Sequence, residues 1–296
     1  MKFSLSLLVF ASAATAAAAG LAGNRRQFSG APTLTMGILR GQTGGSGPYL
    51  ANYTTDPTLP AHTIYLPNVI PAGLKLPVMV FGNGGCRADG TSFLSILTEI
   101  SSHGIMVIAS GSPAGTGTTT SKMLKDAIDW VVKSAGGTGS KYAAIDATRI
   151  AVAGQSCGGV EAYDLATDPR VISVGILNSG AFSGQQAASF KKPTFYFLGG
   201  SGDIAYANGE RDYKLIPAAT PTWKGNLPVG HLGTYAEPNA GRFGVAVTRF
   251  LQWTLRGNTT AGEYFVGKGA TADGWNVESR ALGDIKTTPI DGTTVG

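Results

Sequence analysis

Short runs of apolar residues recur along the chain and are separated by polar, glycine-rich stretches. The clearest runs cover residues 63–66, 77–81, 105–109, 149–153, 171–177 and 194–198. Several of them are continuous Val, Ile and Phe runs without polar alternation, a pattern typical of strands that are buried on both faces of a parallel sheet. We therefore predict buried strands at these positions.

Segments with helical periodicity lie between and after these runs. The apolar faces of the three clearest helices are formed by Phe93, Leu97 and Ile100; by Leu124, Ala127, Ile128 and Val131; and by Phe243, Val247, Leu251 and Leu255. Gly104 and Gly257 follow the first and the last of them, as glycine commonly follows a helix. The alternation of strands and helices predicts an α/β fold, with a mostly parallel central sheet of about eight strands flanked by helices on both faces.

The composition narrows the class of protein. The chain has 296 residues, of which 43% are hydrophobic, so a mainly disordered chain and a stapled mini-domain are excluded. Its 43 glycines follow no three-residue period, which excludes a collagen-like repeat. The net charge of +5 is scattered, with no basic run beyond Arg25-Arg26 and Lys191-Lys192. We therefore expect no nucleic-acid partner.

The N-terminus has the pattern of a secretory signal peptide. Lys2 gives a basic start, an apolar stretch follows, and small residues lead to Ala19-Gly20. An apolar anchor helix is the alternative interpretation. No later segment reaches the roughly 18 apolar residues of a membrane span, so we expect none. We expect a secreted, extracellular protein, with Arg25-Arg26 as a possible processing site.

Secretion changes how the two cysteines and two asparagines are interpreted. Cys86 and Cys157 are the two cysteines of the chain, and thiols in an oxidising compartment commonly pair. Asn52 and Asn258 each begin an Asn-X-Thr triplet, the acceptor pattern for glycosylation. We divide the chain into a signal peptide (1–20), an N-terminal extension (21–47), the main domain (48–256) and a Gly- and Thr-rich tail packed on it (257–296).

A candidate nucleophile follows one of the predicted strands. Gly154-Gln-Ser-Cys-Gly158 comes directly after residues 149–153 and before a helix-compatible stretch. G-x-S-x-G between a strand and a helix is typical of a sharp turn that presents the serine hydroxyl at the carboxyl edge of a sheet. Ser156 is therefore the candidate nucleophile. The alternative is an ordinary serine in a glycine-rich turn.

A serine nucleophile needs a histidine base and a carboxylate that orients it. In this type of fold the chain order is serine, acid, histidine, and His231 is the one histidine after Ser156. We interpret His62 and His103 as structural. Asp203 is the candidate acid because it ends the segment Gly199-Gly-Ser-Gly-Asp203, which directly follows the apolar run 194–198. Its rivals are Glu210 and Asp212.

Two backbone amides are expected to stabilise the oxyanion of the tetrahedral intermediate. One belongs to Cys157, and the other to Gly85 or Cys86 in the glycine-rich loop after strand 77–81; the sequence does not separate these two. If both amides serve one oxygen, Cys86 and Cys157 lie close enough for a disulfide. Two buried free thiols are the alternative.

The order of Pro77-Val-Met-Val-Phe-Gly-Asn-Gly-Gly85, Gly154-Gln-Ser-Cys-Gly-Gly159, Gly199-Gly-Ser-Gly-Asp203 and Gly230-His231 resembles the α/β-hydrolase fold. The chain is most similar to secreted esterases related to dienelactone hydrolases, cutinase-like polyester hydrolases and platelet-activating-factor acetylhydrolases, over residues 48–256. The resemblance implies a serine esterase that uses an acyl-enzyme and needs no metal or organic cofactor. Its substrate is expected to be a small-molecule or polymeric ester.

The same resemblance extends to the substrate pocket and to rival functions. It implies that residues 178–182, with Phe182, line the acyl pocket and that Tyr206 and Trp223 border it, although a core position fits these two aromatic residues equally well. We expect a monomer. A serine peptidase or an acyltransferase of the same fold is an alternative, and so is a non-catalytic secreted binding protein.

Overall fold

The computed structural model describes residues 44–137 and 140–290. The predicted signal peptide, the possible processing site at Arg25-Arg26 and most of the predicted N-terminal extension lie outside these residues. No helix within the described ranges is long and apolar enough to cross a membrane.

One mixed sheet runs through the described part of the chain. Its strands are β1 Ala51–Thr54, β2 His62–Pro67, β3 Leu76–Gly82, β4 Met106–Ser110, β5 Ile145–Gln155, β6 Val171–Leu177, β7 Thr194–Leu198, β8 Thr222–Asn226 and β9 Asn276–Arg280. They are ordered β1-β2-β4-β3-β5-β6-β7-β8-β9. The six strands from β4 to β8 in this order are parallel, and β1, β2 and β9 pair antiparallel at the two edges.

The predicted strands coincide with β2 to β7 to within a few residues. The described residues thus form an α/β structure whose sheet has nine strands, where about eight were expected. The additional edge strand β1 is short and mostly exposed, with one buried residue, Ala51, of four. It carries little of the apolar signal by which the buried strands were recognised.

The helices lie on both faces of the sheet, as predicted. They are α1 Leu94–Ser102, α2 Ser121–Ser134, α3 Cys157–Leu165, α4 Tyr206–Leu215, α5 Gly241–Thr254, α6 Thr259–Val266 and the short α7 Gly269–Ala272. Helices α2 and α3 pack on one face, while α1, α5 and α6 pack on the other. In β3, Val78 and Val80 point to the first face and Met79 and Phe81 to the second, as the two-residue period of a strand requires.

The C-terminal segment is an ordered part of this structure. It contributes α6, α7 and β9, and β9 extends the sheet by pairing with β8. Phe265 and Trp275 are buried in the same apolar core as α5. Residues 257–296 were predicted only as a tail packed on the main domain, because their many glycines and threonines hide a few well-spaced aromatic residues.

Candidate active site

The turn between β5 and α3 holds Ser156 in an unusual backbone conformation, with φ 52° and ψ −118°. A non-glycine residue in such a region costs about 1–3 kcal/mol and persists where its surroundings fix it. Here the Ser156 amide donates to the carbonyl of Leu177 (3.0 Å). The Ser156 carbonyl accepts from the Ser179 hydroxyl (2.6 Å) and from the Val160 amide (3.1 Å). Hydrogen bonds therefore fix both the amide and the carbonyl of this strained residue.

Three glycines explain how β3, β5 and α3 approach each other so closely. A Cβ atom on Gly158 would lie 2.0 Å from the carbonyl carbon of Gly82, and one on Gly154 would lie 2.2 Å from the carbonyl oxygen of Gly158. No side chain fits at these distances. The first turn of α3 consequently packs directly against the backbone at the end of β3, beside the loop that follows it.

Ser156, His231 and Asp203 form a continuous hydrogen-bonded chain. His231 Nε2 lies 2.9 Å from Ser156 Oγ, and His231 Nδ1 lies 2.6 Å from Asp203 Oδ1. With Nδ1–H donating to the carboxylate, Nε2 is left to accept the serine proton, which is the tautomer that a base needs. The rival acids lie elsewhere: Glu210 pairs with Lys224, and Asp212 accepts from Tyr163.

The Asp203 carboxylate is 4% exposed and has four hydrogen-bond donors. Its Oδ2 accepts from Asn178 Nδ2 (2.8 Å) and the Gly199 amide (3.0 Å), and its Oδ1 accepts from the Ala205 amide (2.9 Å) as well as from His231. Burial pushes the pKa of Asp203 upward, but these hydrogen bonds outweigh burial and hold the pKa below its ordinary value. The carboxylate is thus ionised at neutral pH.

Three residues that support this chain were missed as such by the sequence analysis. Asn178, predicted to line the acyl pocket, is fully buried and holds Asp203, and its Oδ1 accepts from the Tyr235 hydroxyl (2.6 Å). Gln155 Nε2 donates to the backbone carbonyl of His231 (3.0 Å). Asn178 follows β6 directly, so its position at the carboxyl edge of the sheet was the available signal.

The predicted oxyanion residues lie on two segments that the cysteines join. Cys86 and Cys157 pair at disulfide distance, with their Cα atoms 5.2 Å apart, which confirms the predicted pair. Cys157 is the first residue of α3, where an amide has no acceptor within its own helix. In the facing loop, Gly85 and Cys86 are consecutive left-handed residues, with φ 64° and 50°. Which of their amides would complete the oxyanion site stays open.

The residues predicted to contact substrate differ in exposure. Phe182 is 64% exposed, Tyr206 is half-buried in the first turn of α4, and Trp223 is fully buried. The Trp223 ring packs among Phe197, Phe265 and Trp275 in the core, so we assign it a packing role and do not retain it as a substrate contact.

Two exposed apolar residues that lie beside members of the Ser156–His231–Asp203 chain, which we call the triad, were not predicted. Ile204 and Leu232 are each 78% exposed, and they directly follow Asp203 and His231. Together with Phe182 they place apolar surface on three of the loops that carry or support the triad. A chain-position rule could have found them, because an exposed apolar residue beside a catalytic one is a candidate substrate contact.

The two candidate glycosylation sites differ in exposure, and one group of side chains near the disulfide could hold a metal ion. Asn52 is exposed, while Asn258 is half-buried and its Oδ1 caps α6 by accepting from the Ala261 amide (3.0 Å). Within the described ranges, one group of three potential metal ligands, Cys86, Cys157 and Glu161, has its donor atoms within 4.8 Å of one another. Both sulfurs of this group belong to the disulfide.

No protein-family model matches the chain, and no curated protein matches it in sequence. The case for its function therefore depends on the site itself.

Proposed function

We propose that this protein is a serine hydrolase with the α/β-hydrolase fold, and more particularly a carboxylic ester hydrolase. The observation that carries the proposal is the hydrogen-bonded chain from Ser156 Oγ through the His231 imidazole to Asp203. A serine on a strained turn between a strand and a helix, followed in the chain by the acid and then the histidine, is the arrangement that this fold uses.

The first half of the reaction forms an acyl-enzyme. His231 Nε2 takes the proton of Ser156 Oγ as this oxygen attacks the ester carbonyl carbon, and the Asp203 carboxylate stabilises the imidazolium that results. The amide of Cys157 and one amide from Gly85 or Cys86 stabilise the oxyanion, each contributing about 3 kcal/mol. The imidazolium then protonates the departing alkoxide, and the alcohol leaves.

The second half returns the enzyme to its starting state. His231 removes a proton from a water molecule as the water oxygen attacks the acyl carbon of the Ser156 ester. The same amides stabilise the second oxyanion, and the histidine returns its proton to Ser156 Oγ as the carboxylic acid departs. No step requires a metal ion or an organic cofactor.

Exposed apolar side chains support an ester with an apolar acyl group as the substrate. Ile204 and Leu232, which directly follow Asp203 and His231, are exposed apolar residues, and so is Phe182 in the loop that begins with Asn178. Tyr206 is half-buried in the helix that follows Asp203. Apolar contact of this kind binds acyl chains without fixing their length. Small-molecule and polymeric esters are both compatible with it. We further propose that the protein acts outside the cell, where the Cys86–Cys157 pair persists.

Labelling with a fluorophosphonate probe tests the nucleophile. We expect one equivalent of probe on the folded wild type, labelling that is lost on heat denaturation, no labelling of Ser156→Ala, and full labelling of Ser201→Ala, which replaces an exposed serine in the loop before Asp203. Absence of labelling in the folded wild type would favour the non-catalytic binding protein and overturn the proposal.

A substrate panel tests the bond that is cleaved. We expect hydrolysis of p-nitrophenyl esters of increasing acyl length and negligible hydrolysis of the matched p-nitroanilides. Comparable turnover of the anilides would instead indicate a peptidase. Ester exchange with an added alcohol that outpaces hydrolysis would indicate an acyltransferase.

A further inference from the structure

Glu161 is a buried acid that the proposed ester hydrolysis does not use. It lies on α3, five residues after Ser156, and is 7% exposed. Its Oε1 accepts a hydrogen bond from the Thr119 hydroxyl (2.7 Å), but its Oε2 has no hydrogen-bond partner among the described residues. A buried polar atom without a partner is costly, so it calls for an explanation.

The surroundings of Glu161 supply one. Cys157 and Glu161 are four residues apart on α3, so their side chains share one face of the helix. Cys86 reaches the same place from the loop after β3, and the two sulfurs and a Glu161 carboxylate oxygen all lie within 4.8 Å of one another. Both cysteines are half-buried, which leaves the pair within reach of a small reductant and a small ion.

The chemistry of this donor set depends on its redox state. In the disulfide the sulfurs are poor ligands, whereas two thiolates and one carboxylate suit Zn²⁺, which favours sulfur and accepts oxygen. Tetrahedral Zn²⁺ with bonds of about 2.3 Å to sulfur needs the two sulfurs about 3.8 Å apart. Cysteines whose Cα atoms are 5.2 Å apart meet this requirement by side-chain rotation. One coordination position stays open for water.

We propose that reduction of the Cys86–Cys157 pair turns this cluster into a binding site for one thiophilic divalent cation, held by Cys86 Sγ, Cys157 Sγ and a Glu161 carboxylate oxygen. The reductant is an external dithiol. It gives two electrons and two protons to the S–S bond and becomes a disulfide itself. Metal binding then releases both thiol protons, together with the Glu161 proton where that acid is protonated. The metal would join the oxyanion loop to the nucleophile turn in place of the disulfide.

Metal titration of the untagged protein in both redox states tests this proposal. The probe is Co²⁺, followed by the thiolate-to-cobalt charge-transfer absorption and the visible bands of a tetrahedral ion, with displacement by Zn²⁺ and a chromophoric chelator for affinity. We expect the reduced wild type to bind one equivalent with these signals and the oxidised wild type to lack them. Any binding that involves His231 is present in both states and is subtracted by this comparison.

Two variants separate the carboxylate from the thiols. Glu161→Gln keeps the size of the side chain and removes the anionic ligand, so we expect Zn²⁺ affinity of the reduced protein to fall by about tenfold or more. Glu99→Gln is the matched control, since Glu99 is also buried but bonds to Ser46 and His103 instead, and we expect unchanged affinity.

Three results would overturn the proposal. The first is the absence of an additional tetrahedral thiolate site after reduction. The second is an affinity and a cobalt spectrum that Glu161→Gln leaves unchanged. The third is loss of the native near-ultraviolet circular dichroism on reduction that Zn²⁺ does not restore, because the ligands would then not be held together by the fold.

Discussion

Two aspartates that follow β7 are equally buried and yet differ in what they can do. Asp203, in the loop after the strand, is 4% exposed, and Asp212, in α4, is 0% exposed. Each has its oxygens engaged: Asp203 by two side chains and two amides, and Asp212 by the Tyr163 hydroxyl, the Ala181 amide and Arg211. Burial and complete hydrogen bonding therefore do not distinguish the proposed catalytic acid from a structural one.

The difference lies in where each hydrogen-bonded chain leads. From Asp203 the chain passes through His231, whose side chain is 20% exposed, to the hydroxyl of Ser156. From Asp212 it passes through Tyr163 to the hydroxyl of Tyr196 (2.8 Å), and burial raises the pKa of both tyrosines. The first chain ends at a reactive atom near solvent, and the second ends in the core. The proposed mechanism therefore uses only the first chain to exchange a proton with substrate.

Replacing the two acids by amides is the most direct way to break this comparison. In Asp203→Asn the imidazole loses the partner that fixes its tautomer, so we expect kcat to fall by about 10⁴-fold. We also expect a loss of about 1–3 kcal/mol of stability, because the folded state favours the ionised carboxylate. In Asp212→Asn we expect kcat within a few-fold of the wild type but a loss of about 1–3 kcal/mol of stability, because the buried Tyr163 hydroxyl and Ala181 amide lose a charged acceptor. Ester hydrolysis and urea unfolding measure the two effects.

The comparison of kcat and stability between the two variants, and not the result for either variant alone, tests the proposed roles of the two aspartates. A loss of kcat in Asp212→Asn as large as in Asp203→Asn would place both aspartates in the catalytic machinery. Retention of activity by Asp203→Asn would remove the basis of the proposed triad.

Gly158→Ala tests whether the hydrogen-bonded chain of Ser156, His231 and Asp203 depends on the close packing of α3 against the end of β3. The added Cβ would meet the Gly82 backbone at 2.0 Å, so the turn at Ser156 must move. We expect kcat to fall by about 10²-fold and stability to fall by about 3 kcal/mol.

Gly202→Ala is the matched control for this variant. A Cβ there meets nothing within 4 Å, although the residue precedes Asp203 directly. We expect near wild-type activity and stability. Equal damage by both substitutions would mean that the loss does not arise from contact with the Gly82 backbone, and the packing argument would fail.

How much of this site could be predicted from the sequence follows from the fold itself. In a parallel sheet the carboxyl ends of the strands meet at one edge, so residues in the loops that follow buried strands, such as Ser156 and Asp203, converge by topology. The glycine-rich pattern around Ser156 indicated the same tight packing. The pairing of Cys86 with Cys157 followed from that convergence.

The rest depends on side-chain direction and on weak local signals. Nothing in the sequence tells that the Asn178 side chain turns towards Asp203, or that Gln155 reaches the His231 carbonyl. Trp223 was ambiguous because alternate residues of a strand face opposite sides, and its strand β8 was not among the six strands predicted with bounds. The edge strand β9 has no fully buried residue, so its apolar pattern was too weak to predict it.

Tyr235→Phe tests a residue that acts on Asp203 only through Asn178. The substitution removes the hydroxyl that donates to Asn178 Oδ1 (2.6 Å) and leaves the ring in place. We expect a loss of about 1 kcal/mol in stability and a decrease in kcat of about two- to tenfold. Tyr53→Phe is the control, since Tyr53 is 40% exposed, and we expect no effect. If Tyr235→Phe lowered stability without any change in kcat, Asn178 would hold the fold and not the catalytic acid.

Glu161 is a buried carboxylate whose Oε2 has no hydrogen-bond partner in the part of the chain that the structure describes. Its contribution to the stability of the fold should depend on pH in the opposite sense to that of Asp203. Burial raises the pKa of Glu161, whereas hydrogen bonds to His103 and Ser46 outweigh burial and lower the pKa of Glu99. The folded state thus favours protonated Glu161. The stability that this preference contributes is complete below about pH 4.5, and it is lost as the pH rises through the pKa that Glu161 has in the folded protein. For Glu161→Gln with the disulfide intact, calorimetry at pH 4 and pH 8 should show a gain over the wild type that grows with pH to about 1 kcal/mol. Glu99→Gln should show a loss of stability that grows with pH, because the hydrogen bonds to Glu99 stabilise its ionised form in the folded protein. A pH-independent difference for Glu161→Gln would mean that the acid is satisfied when ionised.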